Sequence, residues 1–185
     1  MSKKDDLLQA AERLFYLEGF HRTGVAKIAE RANTTQRTLY KHFPNKESLI
    51  LAIMEKREAR YWKSVEEMDS SFTGDWYSLV PFYALRNWFG QQNHNGCFYW
   101  HALSEYQGKD QQIVQYVRDY KLRQEHDLTF RLEKDGIFQP SLSSLLMLIY
   151  EGITASSPFD ISSATWESTF EYVSQLLDGG KALCD

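Results

Sequence analysis

Apolar positions recur at three- and four-residue spacing in segment after segment of this chain, which is the rhythm of amphipathic helices. Leu8, Ala11, Leu14 and Phe15 form one such stripe, predicting a helix that starts after Ser2 and stops at Gly19. Val25, Ile28, Ala29 and Ala32 form a second. Asn33 interrupts it, and Asn tolerates the left-handed conformation that ends helices. Thr35 can cap a third, short helix over 35–42, in which Leu39 points inward with Phe43 four residues on, while Gln36, Arg37, Tyr40 and Lys41 point outward. Pro44 breaks the chain, Asn45 caps a fourth helix with Glu47 in its first turn, and Leu49, Ile53 and Met54 carry it toward Trp62.

Beyond that point SSFTGD (70–75) is a turn cluster, and Leu79, Phe82, Leu85, Trp88 and Phe89 mark a helix from Trp76 to about Gln92. QQNHNG (91–96) reads as a loop and CFYWHALSEY (97–106) as a short helix. Asp110 to Lys134 reads as a long helix with Val114, Val117, Leu128 and Leu132 inward, ended by Asp135-Gly136. Two last helices follow, Ser141 to about Ser156 and Ile161 to about Gly179. The first of them is apolar over more than one stripe, so it is either central or shared with a partner. The expected fold is therefore all-α with about nine helices. An N-terminal helix-turn-helix head occupies residues 1–60, with its motif at 24–43, and a helical body fills 61–185.

Charge divides along the same line. The net charge of −4 conceals 12 basic against 8 acidic residues in 1–60, and 9 against 17 in 61–185. Between residues 20 and 46 six basic side chains face a single acidic one, Glu30. A phosphate backbone would use a basic head of that kind, although a charge run is also what a solvated face looks like. The start, MSKKDDLL, has no apolar signal-like core, and no apolar run is long enough to cross a membrane. Two cysteines far apart, Cys97 and Cys184, make no disulfide framework, so a cytoplasmic setting is expected.

Spacing alone leaves the 24–43 segment open between a plain antiparallel helix pair and a DNA-reading motif. Residues 5–55 resemble the DNA-binding head of the TetR family of bacterial repressors, through AAERLFYLEGF (10–20), TGVAKIAERA (23–32) and above all TLYKHFPNKESL (38–49). Two positions depart from the family pattern: Asn33 stands where Gly is usual, and Arg37 where many members have Gly. The resemblance implies a homodimer, joined through residues 141–179, that presents two heads to a double-stranded operator. Half-sites on such a duplex would lie about 34–36 Å apart or at a multiple of that. By position in the matched motif, Thr35, Gln36, Tyr40, His42 and Lys46 are expected on phosphates, and Arg37 and Lys41 at base edges. The backbone N–H groups around Thr23 and Gly24, where the second helix opens, offer a further phosphate seat.

The body is crowded with rings, which are either core or the lining of a pocket for a flat, greasy small-molecule effector. Candidate effector residues are Trp62, Phe82, Trp88, Phe98 and Tyr120, with His101 and Glu105 as polar partners. An effector would act by changing the spacing of the heads, transmitted along the helix from Lys46 toward Trp62. Two other chemistries compete. His101 and Glu105, four residues apart on one helix face, have the spacing of a metal or acid–base pair on a helical enzyme or carrier, yet two ligands fall short of a usual site. Cys97 beside a helix start is a candidate redox sensor. No phosphate-binding loop, HExxH or nucleophile elbow is present, so no enzyme, cofactor or metal site is expected.

Overall fold

The computed structural model describes residues 2–91 and 95–184; the expected loop at 91–96 falls partly on residues outside them. Among the described residues the regular structure is entirely helical: α1 (Lys3–Glu18), α2 (Val25–Arg31), α3 (Gln36–His42), α4 (Lys46–Ser71), α5 (Val80–Gln91), α6 (Phe98–Tyr106), α7 (Gln111–Lys134), α8 (Pro140–Ser156) and α9 (Ser163–Ala182). Single 3-10 turns, Tyr77–Leu79 and Ser157–Phe159, precede α5 and follow α8.

Helix ends fall where local chemistry puts them. The Ser2 hydroxyl accepts the Asp5 N–H at 3.2 Å, and Gly19 closes α1 at φ +88°. The Thr35 hydroxyl accepts the Thr38 N–H at 3.2 Å, and the Asn45 side chain accepts that of Ser48 at 2.7 Å. Asn33 adopts φ +48°, as the turn between α2 and α3 requires. Two bounds moved. The expected helix from Trp76 begins as a 3-10 turn, where the Asp135 carboxylate accepts the N–H groups of Tyr77 and Ser78 at 2.8 and 2.9 Å and the Ser78 hydroxyl at 2.7 Å. The last helix starts at Ser163, two residues later than expected, because the Ser162 hydroxyl caps it by accepting from Thr165 N–H.

The chain forms two compact units. One comprises residues 1–59 and 97–119, the other residues 60–96 and 120–185. Segment 97–119, assigned to the body on sequence, thus packs with the head. The cause is visible in the core of the first unit, where Phe15, Phe20, Ile28, Leu39, Ile53, Met54 and Phe98 are all fully buried. Phe20 stacks on Phe15 with ring centroids 5.1 Å apart, and meets Phe98 and Tyr106 of α6 edge-on at 5.0 and 6.1 Å. The rings of α6 thus share in the burial of Phe20. Arg57 of α4 is buried there as well, ion-paired with Glu12 of α1, its guanidinium 5.2 Å from the Tyr16 ring and 4.7 Å from that of Phe98.

The second unit buries Val65, Phe82, Leu85, Leu128, Leu132, Leu146, Val173 and Leu177. Inside it Arg131, 4% exposed, grips both Asp69 oxygens at 2.6 and 3.0 Å and Asp127 at 2.7 Å. Burial with hydrogen bonding outweighs solvation here: the two aspartates hold the guanidinium charged, and burial lifts Asp127 above the usual carboxylate range against that attraction. On α8, Leu142 and Leu146 are buried while Leu145 and Leu148 lie 40% and 70% exposed.

Candidate nucleic-acid interface

The face expected to read DNA is α3 and its flanks. Leu39 is fully buried and Phe43 nearly so, which anchors the short helix on α1 and α2 and fixes which way its other residues face. Gln36, Arg37, Lys41 and His42 are exposed, and Tyr40 is 48% exposed. These side chains carry bidentate donors (Arg37), a point charge (Lys41), an amide and a phenol, the functional groups that meet phosphates and base edges. Gly24 is exposed at the start of α2, whose N-cap makes no side-chain hydrogen bond.

Two candidates are more engaged than the sequence suggested. Thr23 is fully buried, main chain included, and its hydroxyl donates to the Gly19 carbonyl at 2.8 Å, so it does not offer the exposed phosphate contact expected of it. Lys46 is half-buried, with its amine 5.8 Å from the Phe15 ring centroid. Burial pulls the Lys46 pKa below the usual lysine value, opposed by the nearby carboxylates of Glu47 and Glu105.

The seven effector candidates are divided by the fold. Phe98, His101 and Glu105 stand on α6 in the first unit; Trp62, Phe82, Trp88 and Tyr120 belong to the second. Phe98 and Phe82 are core residues, 1% and 0% exposed. Tyr120 is buried edge-on against Tyr61, which itself meets Tyr150 edge-on, and burial pushes the Tyr61 phenol up to about 12. Trp62 lies against Tyr61 at 5.0 Å, and Trp88 is half-buried under the Arg60 guanidinium at 5.9 Å. A polar groove of about 380 Å³ on the first unit, lined by Lys3, Asp6, Gln9, Arg13, Arg31 and Asn33 among others, includes none of the seven.

Glu105 does not pair with His101 as a catalytic or metal-binding couple would. Its two carboxylate oxygens accept the backbone N–H groups of Phe20 at 2.8 Å and His21 at 2.6 Å, so they are committed to the loop between α1 and α2. His101 rests beside the Tyr16 ring at 6.2 Å, and burial lowers its pKa, with Glu105 opposing. Among the described residues no group of three or more His, Cys, Asp or Glu is assembled to hold a metal. Cys97 is buried at the start of α6. The loop contact of Glu105 was missed on sequence because it joins positions 85 residues apart; a glycine at 19, needed where the carboxylate comes close, was its one local sign.

No helix among the described residues is long and apolar enough to cross a membrane. A family model described as bacterial regulatory proteins, tetR family, matches residues 7–53. The chain is 39% identical over 69 residues to the probable HTH-type transcriptional regulator ArpR of Pseudomonas putida, covering 34% of this chain and 33% of that protein. It is 37% identical over 54 residues to the HTH-type transcriptional activator FasR of Mycolicibacterium smegmatis, covering 29% and 25%. These matches span about a third of the length of the relatives or less. In fold, the whole chain is similar to the crystal structure of a TetR-family transcriptional regulator from Streptomyces coelicolor, with TM-score 0.84, 22% identity, and 97% and 96% of the two chains covered.

Proposed function

We propose, from the premise that this chain belongs to the TetR family of bacterial regulatory proteins, that it is a homodimeric transcriptional repressor. It binds a near-palindromic operator through α3 and leaves it when a small hydrophobic or aromatic effector enters the C-terminal body. The observation that carries this reading is the exposed α3 face, where Gln36, Arg37, Tyr40 and Lys41 project from a helix pinned by Leu39 and Phe43. Phosphate contacts from Thr35, Gln36, Tyr40, His42 and Lys46, with the main chain at Gly24, set the register of the head on the duplex. Arg37 and Lys41 read base edges. The basic excess of residues 1–60 supplies the sequence-independent attraction.

Pairing of two copies through α8 and α9 is supported by leucines left in water there. Leu145 and Leu148 on α8, and Tyr172 and Leu176 on α9, are exposed in the single chain. The ring-rich second unit supports an apolar effector, and α4, continuous from Lys46 to Ser71, is the element through which its binding would alter head spacing. The test is binding of the purified chain to its own upstream DNA against random duplex at rising salt. A specific regulator loses affinity steeply with salt yet keeps a large excess for its operator. Equal affinity for both duplexes at every salt concentration would overturn the reading, and transcription from the bound promoter with and without the chain decides repression.

A further inference from the structure

The loop from Gly19 to Gly24 decides where α2 begins, and α6 holds that loop. Both oxygens of the Glu105 carboxylate are used, each by a successive backbone N–H, at 2.8 Å from Phe20 and 2.6 Å from His21. The main chain of the same residue is engaged as well: His21 Nε2 lies 2.9 Å from the Glu105 carbonyl oxygen. Lys109, one turn beyond α6, places its amine 2.9 Å from that same nitrogen, which either donates to the carbonyl or accepts from the amine, according to tautomer. The approach is close enough to dictate sequence. A Cβ on Gly19 would stand 3.0 Å from the Glu105 oxygen, at a φ of +88° that side chains rarely adopt. At the far end of the loop the Thr23 hydroxyl bonds the Gly19 carbonyl, so the whole turn is tied into one piece.

We propose that Glu105 is a positioning residue for operator recognition: it fixes the α1–α2 loop from α6, and through that loop the register of the α2–α3 pair on DNA. The inference rests on the operator-binding reading above. Phe20 is fully buried, so its N–H has no water to turn to when the carboxylate is removed. The carboxylate presents two oxygens spaced for two adjacent donors, a geometry an amide does not reproduce, because its NH₂ would face a backbone N–H. Nothing in this role calls for contact between Glu105 and DNA. It acts on recognition through the loop, and sequence-independent attraction to phosphates is left as it was.

The experiment compares the full chain with Glu105→Gln, nearly isosteric, and Glu105→Asp, which keeps the charge and shortens the reach by one methylene. A duplex enriched by the wild-type chain from a random-sequence library serves as operator, an unrelated duplex as control, and circular dichroism sets a temperature at which all three proteins are folded. Hydrogen exchange of residues 19–24 without DNA is the second measurement. Both variants are expected to lose protection at the Phe20 and His21 amides. Operator affinity should fall about tenfold, as for loss of one charge-assisted bond, while affinity for the unrelated duplex stays within about twofold, since phosphate attraction is unchanged. Unchanged protection, an unchanged operator affinity, or an equal fall on both duplexes overturns the proposal. If the wild-type chain enriches no duplex, the operator reading itself fails, a result distinct from a discriminating wild type with indifferent variants.

Discussion

Leu148 offers the sharpest test of pairing, because it is 70% exposed on α8 in the single chain and so contributes little to that chain's own fold. Fully burying a leucine side chain is favourable by about 1.5–3 kcal/mol, so covering the exposed part is worth about 1–2 kcal/mol. A two-fold interface counts each residue twice, which makes Leu148→Ala cost up to about 2–4 kcal/mol of dimerisation, or about 30- to 800-fold in dissociation constant. Leu148→Glu should cost more, since a carboxylate would be dehydrated without a partner. Sedimentation equilibrium over a concentration series gives the constant directly. Thermal unfolding extrapolated to low concentration checks that the monomer fold is intact, as expected for an exposed site. If both variants dimerise as the wild type does, α8 does not form the interface at this point, and the reasoning from its exposed leucines is wrong.

Other outcomes follow from the same geometry. Arg37→Ala should flatten preference among operator variants at one base position by about 1–3 kcal/mol while leaving affinity for random duplex nearly unchanged; retained preference would refute base reading by Arg37. Arg131→Met should destabilise the second unit by about 1.5–3 kcal/mol at neutral pH, because the half-buried carboxylates of Asp127 and Asp69 lose their charge-assisted hydrogen bonds. Burial already raises the Asp127 pKa above its unfolded value, so in the variant the deficit should shrink as acid neutralises that carboxylate; urea midpoints that show the same deficit at pH 4 and pH 7 would contradict this. His101 has a folded pKa below its unfolded 6.5, so the unfolded chain binds the proton first and stability is lost as pH falls through and below 6.5. His101→Asn should therefore lose less stability than the wild type between pH 7 and pH 5, measured as melting temperature, and parallel profiles would remove the assignment.

What could be read along the chain was whatever is decided locally. The Thr35 and Asn45 caps, the left-handed Asn33 and the inward Leu39 depend on neighbours within four residues, and each stands where periodicity and capping chemistry put it. The outward face of α3 follows from the same short-range logic, since a helix pinned at Leu39 has no freedom in where Arg37 and Lys41 point. Boundaries that depend on distant partners were not legible in this way. Asp135 turns the start of the helix at Trp76 into a 3-10 turn from 57 and 58 residues away. Most instructive is α6, whose ten letters CFYWHALSEY look like part of a ring-lined body. Their polar members suggested chemistry because His and Glu four apart is a functional spacing. The carboxylate instead accepts from two main-chain amides of the head, at buried Phe20 and exposed His21, and the rings of Phe98 and Tyr106 complete the core around Phe20. Residue type and spacing give the same signal for a reactive pair as for a structural tie. What distinguishes them is the partner, and at Glu105 the partner is backbone, which a list of side chains does not display.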